Sequence, residues 1–145
     1  LTQMVNAYNT VSNEGYKKEN KKKKKITDRK GKVLYEKVNE NNIHQITLNA
    51  GACRKLKSCF NGVINTGGTA AFIARNPKVQ PNDISYGGKT GTTDNATNLW
   101  YMGYTPEFTM GIWQGYSLTN NRKAGNAGSD CANIWNKILT SYNGK

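Results

Sequence analysis

Apolar positions recur along this chain with helical spacing in three stretches. Residues 1–14 carry apolar side chains three and four positions apart, which predicts an amphipathic helix that ends at Gly15. A second helix is predicted from about Asn49 to Ile64, capped by Asn49 or Thr47, and a third follows a loop at 120–128. The predicted inward-facing residues are Leu1, Met4, Val5, Tyr8 and Val11, then Ala52, Leu56, Cys59, Phe60 and Val63, then Ala132, Trp135, Ile138, Leu139 and Tyr142.

Two later stretches are apolar at nearly every position and are typical of strands. Residues 98–104 and 108–117 flank a Thr-Pro-Glu turn, which predicts a hairpin buried on both faces. Another strand is predicted to begin at Gly87, and two short strands flank an Asp-x-x-Gly turn at 28–31. The expected fold class is therefore α+β, an antiparallel sheet covered by helices. Four aromatic residues are expected in its core rather than at a ligand, namely Trp100, Trp113, Tyr104 and Tyr116. Ser129 or Asp130 is expected to cap the last helix.

The positive charge of the chain is concentrated in one segment. The 145 residues are 36% hydrophobic and carry a net charge of +12, and residues 17–37 hold ten lysines and Arg29 against three acidic residues. We expect this basic loop and hairpin, residues 16–37, to be a solvated surface. A contact with anionic wall polymer or anionic lipid is the alternative. Nucleic acid is not expected, since stacking aromatic residues occur only at the edges of the segment.

The cysteines and the single histidine do not indicate a disulfide or a metal site. Cys53 and Cys59 would lie about 9 Å apart along a helix axis, which is too far for a disulfide. Cys131 and His44 do not complete a zinc-binding spacing. We interpret all three cysteines as buried or half-buried side chains and His44 as a surface residue. No cofactor and no metal are expected, and the sequence contains no apolar stretch of membrane-spanning length.

The candidate chemistry lies in the glycine-rich strand at 87–93. On a strand, Lys89 and Gly91 point to one face and Thr90 and Thr92 to the other. We expect the glycines at 87, 88 and 91 to let another chain approach closely, as an extended peptide does when it pairs with a strand edge. A lysine beside such an edge can bind a carboxylate or help to move a proton.

These residues belong to a pattern that extends over nearly the whole chain. Lys89-Thr90-Gly91-Thr92 resembles the third signature motif of penicillin-binding proteins and serine β-lactamases. Further blocks are similar, in order and spacing, to the C-terminal half of the transpeptidase domain of bifunctional, class A penicillin-binding proteins. The blocks are residues 1–8, 28–35, 65–70, 88–97, 99–100, 103–107 and 112–116. We therefore interpret residues 1–145 as part of such a domain, with 16–37 as a basic insertion within it.

The resemblance implies a D,D-transpeptidase and assigns roles to the strand residues. In this family a serine attacks the D-Ala-D-Ala end of a peptidoglycan stem peptide, and the acyl group then passes to an amine. β-Lactams acylate the same serine. Lys89 would add positive potential and support proton transfer, and the Thr92 N–H would be one oxyanion donor. Thr90, Gly91, Thr92 and Thr93 would bind the substrate, with Thr90 and Thr92 near its carboxylate.

The sequence departs from the family pattern in one respect. No serine is followed by lysine three residues later, so the Ser-x-x-Lys motif is absent. The Ser-x-Asn motif occurs only at 141–143, in the predicted last helix, and we interpret this match as chance. We expect both motifs upstream of residue 1, in the remainder of the domain. This chain would then form one wall of the active-site cleft. Without the part of the domain that carries the serine, it would be inactive. The resemblance implies an extracytoplasmic parent with an N-terminal membrane anchor and a glycosyltransferase domain. The alternative is a non-catalytic module that binds peptides or proteins.

Overall fold

The computed structural model describes residues 1–18, 25–36, 43–45, 48–116 and 122–143. The three predicted helices, the hairpin and the three later strands occur in the predicted order within these ranges. The helices are α1 (Thr2–Ser12), α2 (Ala50–Ile64) and α3 (Gly128–Ser141). The strands are β1 (Tyr16–Lys18), β2 (Lys25–Thr27), β3 (Val33–Glu36), β4 (Ile43–Gln45), β5 (Gly87–Thr92), β6 (Asn98–Tyr104) and β7 (Thr109–Gly115). The short strands β1 and β4 are additional to the predicted ones, and they pair with each other. None of the helices in these ranges is long and apolar enough to cross a membrane.

The central sheet is antiparallel, with the strand order β5-β6-β7. Lys89 lies opposite Met102, and Trp100 lies opposite Trp113. The β6–β7 turn is closed by a backbone hydrogen bond of 2.9 Å from Thr105 to Phe108. The expected antiparallel sheet is therefore confirmed, and a short 3-10 helix at Ala71–Arg75 precedes it in the chain.

Helix α3 covers one face of this sheet. Its Trp135 meets the ring of Tyr101 edge-on, with ring centroids 5.5 Å apart. Apolar side chains of α3, β6, the end of α2 and the segment after it form the buried core on this side, including Ile64, Ala70, Ile73, Leu99, Tyr101, Cys131, Ala132, Trp135 and Leu139. Burial of this apolar surface is the main favourable contribution to folding here.

Helices α1 and α2 cover part of the opposite face. Phe60 of α2 stacks on Tyr8 of α1, with centroids 4.9 Å apart, and meets Tyr104 of β6 edge-on at 6.4 Å. The side chain of Val5 packs directly against Gly111. A methyl group on Gly111 would lie only 2.8 Å from Val5 Cγ2. The half of this face that carries Lys89 and Trp113 is more open, because both side chains are exposed.

Several expectations about which side chains are buried are wrong. The inward face of α2 carries Cys53, Lys57, Asn61 and Ile64, whereas Leu56 and Cys59 are exposed. The polar side chain of Asn61 lies inside because it donates to the carbonyls of Asp83 and Tyr86, at 3.0 and 2.8 Å. Other side chains predicted to face inward are exposed, namely Leu1, Met4, Trp113, Tyr116, Ile138 and Tyr142.

The predicted N-terminal cap of α2 is confirmed, whereas the predicted cap of α3 is wrong. Asn49 caps α2 by accepting a hydrogen bond from Ala52 N at 2.8 Å, as predicted. Helix α3 begins at Gly128 after Ala127, and neither Ser129 nor Asp130 caps it. The Asp130 carboxylate instead accepts from Asn126 N at 2.8 Å, where it holds the loop that precedes the helix.

The basic segment is described only in part. Strands β2 and β3 form the predicted hairpin, whose turn is held by Asp28 Oδ1 accepting from Lys30 N and Lys32 N at 2.8 Å. All residues of these two strands are exposed. The predicted solvated loop falls largely on residues 19–24, which lie outside the described residues, as does the side chain of His44.

Candidate active-site strand

Strand β5 pairs with β6 on one side and with no described strand on the other. The Thr93 N–H donates to Asn98 O at 3.0 Å, which fixes the phase of the β5–β6 ladder. Because hydrogen-bonded and non-hydrogen-bonded pairs alternate in an antiparallel ladder, the N–H and C=O groups of Thr90 and Thr92 point away from β6. The free edge therefore presents the Thr92 N–H to any ligand that lies alongside β5.

Lys89 extends from the more open face of the sheet toward this edge. Its Nζ donates to the outward-pointing carbonyl of Thr90 at 2.9 Å, and the side chain is exposed. Within the described part of the chain, the one ion pair joins Lys25 to Glu36. The Lys89 ammonium therefore brings uncompensated positive charge to the free edge, where it can attract an anionic group.

The two threonines of the motif each bond to a neighbouring segment from the α3 face of the sheet. The hydroxyls of Thr90 and Thr69 lie 2.8 Å apart. The Thr92 hydroxyl accepts a hydrogen bond of 2.9 Å from the N–H of Gly128, the first residue of α3. Both hydroxyls are thereby held on the edge strand β5, within three residues of Lys89.

Thr93 has a different set of contacts from the other predicted site residues. Its hydroxyl accepts from Asn98 N at 2.9 Å and lies 3.0 Å from the Thr97 hydroxyl. These bonds close the short connection between β5 and β6. A role for Thr93 in substrate binding stays a prediction, while its described contacts stabilise the turn.

The glycines of β5 divide into two groups. A methyl group on Gly87 would lie 2.7 Å from the Tyr104 hydroxyl, and one on Gly88 would lie 2.3 Å from that of Tyr101. These two glycines are buried by the protein's own core, so the expectation that they clear space for a second chain is wrong. Gly91 is half-buried, and a methyl group there would lie 3.2 Å from Trp100 Cβ.

Two residues that contact the motif were not among the predicted site residues. Thr69 lies in a block that the sequence does single out, whereas Gly128 carries no local signal, because its contact with Thr92 spans 36 positions. No group of three metal-binding side chains occurs in the ranges that the structure covers. The site therefore consists of backbone amides, hydroxyls and one ammonium.

This strand lies in a chain with known relatives. Residues 1–140 match the family described as the penicillin-binding protein transpeptidase domain. The chain belongs to this family. The resemblance to the class A transpeptidase domain is thereby confirmed, and so is the α+β fold class.

Individual relatives of this chain agree with the family match. It is 28% identical over 142 residues to penicillin-binding protein 1A of Clostridium acetobutylicum, covering 98% of this chain and 16% of that protein. It is 30% identical over 138 residues to penicillin-binding protein 4 of Bacillus subtilis, covering 94% of this chain and 20% of that protein. The chain thus spans less than a quarter of the length of these relatives.

A solved structure has the same fold. The 2.6 Å crystal structure of penicillin-binding protein 1A from Haemophilus influenzae matches 96% of this chain and 25% of its own, with a TM-score of 0.71 and 22% identity. At this identity the likeness concerns the arrangement of helices and strands. The chain therefore folds like one part of that larger protein.

Proposed function

We propose that this chain is part of a peptidoglycan D,D-transpeptidase that cross-links stem peptides through an acyl-serine intermediate and also binds β-lactams. The observation that carries the proposal is the free edge of β5. This edge presents the Thr92 N–H beside the Lys89 ammonium, in a chain of the transpeptidase family. An extended stem peptide can lie along such an edge and pair with its outward amide and carbonyl groups.

Each motif residue has a distinct proposed role at this edge. The Thr92 N–H donates to the oxyanion that develops when the serine attacks, a contribution typically worth about 3–4 kcal/mol in the transition state. Lys89 stabilises negative charge and supports the transfer of the serine proton. The hydroxyls of Thr90 and Thr92 bind the terminal carboxylate of the donor peptide, and Gly91 leaves room for its backbone.

The nucleophile comes from outside these residues. The family chemistry needs a serine and a lysine one helical turn apart, and this pair does not occur within the 145 residues. The parent protein supplies it from the remainder of the transpeptidase domain, against the open half of the sheet that carries Lys89 and Trp113. We further propose that the parent acts outside the cytoplasm, with an N-terminal anchor and a glycosyltransferase domain.

The basic hairpin supplies a proposed contact surface of its own. Four cationic side chains, Lys25, Arg29, Lys30 and Lys32, are exposed on β2 and on the turn between β2 and β3. We propose that they hold the domain near an anionic wall polymer or anionic lipid. Since exposed charges are screened by salt, this contact should weaken strongly as ionic strength rises.

A fluorescent penicillin tests the proposed activity. The full-length parent should be labelled covalently, whereas the 145-residue fragment should stay unlabelled. Excess unlabelled penicillin is the control, and it should abolish the labelling of the parent. If the parent itself is not labelled, the transpeptidase proposal fails.

The free strand edge also supports a second candidate function, a non-catalytic module that binds extended peptides. The same experiment separates the two, because such a module would bind a stem peptide reversibly and would never retain penicillin after denaturation. Peptide binding by a parent that penicillin does not label would favour this second function.

A further inference from the structure

The N-terminus of α3 takes its cap from the motif strand rather than from its own sequence. Helix α3 has no side-chain cap from Ala127, and the N–H of its first residue, Gly128, donates to Thr92 Oγ1 at 2.9 Å. A threonine hydroxyl is one of the groups that cap helices well, because it accepts from an otherwise unpaired backbone N–H. The Thr92 hydroxyl therefore links the start of the helix to the candidate oxyanion strand.

This contact requires a glycine at position 128. Gly128 is buried, and a methyl group there would lie 2.7 Å from the Gly91 carbonyl oxygen, 2.9 Å from Gly91 N and 3.0 Å from Trp100 O. All three distances are to backbone atoms of the sheet, which cannot move aside as a flexible side chain can. Any larger residue would push the start of α3 away from β5.

The bond to Gly128 also fixes how the Thr92 hydroxyl can act. A hydroxyl has one proton to donate and two lone pairs with which to accept. The Gly128 N–H can only donate, so Thr92 uses a lone pair for it and keeps its proton for another partner. No acceptor for that proton occurs among the residues that the structure describes. The Thr90–Thr69 pair differs, because either of those hydroxyls can be the donor.

We propose that Gly128 is a positioning residue, which holds the Thr92 hydroxyl as a hydrogen-bond donor to the carboxylate of the donor peptide or β-lactam. The inference rests on the proposed transpeptidase function. The positive end of the α3 dipole lies at the same hydroxyl and favours the bound anion. Gly128 thus acts on carboxylate recognition through Thr92, without touching the ligand.

The test compares two forms of one β-lactam in the full-length protein. Acylation rate constants are measured for a penicillin and for its uncharged methyl ester, and the ratio of the two reports carboxylate recognition. Gly128→Ala should reduce this ratio by about tenfold or more, as expected when a hydrogen bond to a charged group is lost. A role of Gly128 in folding alone would lower both rate constants equally and leave the ratio unchanged, which would overturn the inference.

Further variants keep the test decisive if Gly128→Ala does not fold. Thr92→Val removes the acceptor and the proton and should lower the same ratio, while Thr92→Ser keeps both and should restore it. Gly62→Ala is the matched control, since a methyl group there meets nothing within 4 Å, and its ratio should equal that of the unmodified protein. A Thr92→Val variant with an unchanged ratio contradicts the inference. Failure of the unmodified parent to react with the penicillin contradicts the proposed function instead.

Discussion

The backbone of Gly103 lies against the indole ring of Trp135. A methyl group on Gly103 would come within 2.7 Å of Trp135 Cε2 and 2.9 Å of Cζ2. Strand β6 and helix α3 therefore approach as closely as the ring permits. Trp135 is 2% exposed, and it also meets Tyr101 and Phe108, with ring centroids 5.5 and 6.2 Å away. This ring joins the helix to the middle of the sheet.

Loss of the Trp135 side chain should destabilise the domain far more than loss of Trp113. We expect Trp135→Ala to lower the free energy of unfolding by about 3–5 kcal/mol, because it leaves a large cavity in a close-packed core. Trp113 is 43% exposed, so Trp113→Ala should cost clearly less. Denaturant unfolding followed by circular dichroism gives both values. Equal losses would contradict the placement of Trp113 on the open face of the sheet.

Two buried tyrosines should respond in opposite ways to loss of the hydroxyl. The Tyr101 hydroxyl is buried without a partner in the described residues, whereas that of Tyr104 lies 3.3 Å from the carbonyl oxygens of Lys57 and Ile84. Tyr101→Phe should be neutral or stabilising, because it removes an unsatisfied polar group, and Tyr104→Phe should cost about 1 kcal/mol. Thermal unfolding of the two variants, side by side, measures the difference. A larger loss for Tyr101→Phe would contradict the assigned hydrogen bonds.

The same two tyrosines predict a loss of stability at alkaline pH. Burial is the main cause that raises the pKa of Tyr101 and of Tyr104 above the usual value. Above about pH 10 the unfolded chain loses these protons while the folded chain retains them, so the free energy of unfolding falls as pH rises. The slope of stability against pH, measured by denaturant unfolding, should be smaller in Tyr101→Phe. An unchanged slope would exclude Tyr101 as a source of the effect.

Removal of the Lys89 ammonium should impair acylation and leave folding nearly intact. In the full-length parent, Lys89→Ala should lower the rate of penicillin labelling by at least about tenfold, because a positioned proton-transfer group typically contributes that much or more. The exposed side chain adds little to the core. Lys55→Ala, at an exposed position of α2, is the control and should react normally. Normal labelling of Lys89→Ala would remove this residue from the mechanism.

The sequence predicts the order of elements because their local signals agree with the fold. The 3.6-residue apolar period of the helices, the continuous apolar runs of β6 and β7, the Asn49 cap and the Thr-Pro-Glu turn are all signals between neighbouring residues. The apolar pattern predicts the wrong buried face for α2, because Lys57 and Asn61 lie inside. Asn61 is accommodated there by carbonyls more than 20 positions away. Hydrophobicity alone does not reveal such partners.

The candidate site also contains both residues that the sequence predicts and contacts that it does not predict. Lys89, Thr90 and Thr92 carry a motif that can be read from one short segment, and strand alternation correctly places Lys89 on the face opposite the two threonines. The contact of Gly128 with Gly91 and Thr92 depends on how α3 packs against β5, which no local sequence pattern reveals. Likewise, Gly87 and Gly88 are required by Tyr104 and Tyr101, which enter from β6.

The bond between Lys89 Nζ and the Thr90 carbonyl has a consequence for the solubility of the protein. An unpaired strand edge is a template on which copies of the same chain can add and aggregate. Here the outward carbonyl of Thr90, within a six-residue strand, already accepts a hydrogen bond from the Lys89 ammonium. Two such edges brought together would also bring two ammonium groups into repulsion. We therefore expect the lysine to discourage polymerisation by strand addition, and an anion that neutralised its charge would weaken this protection.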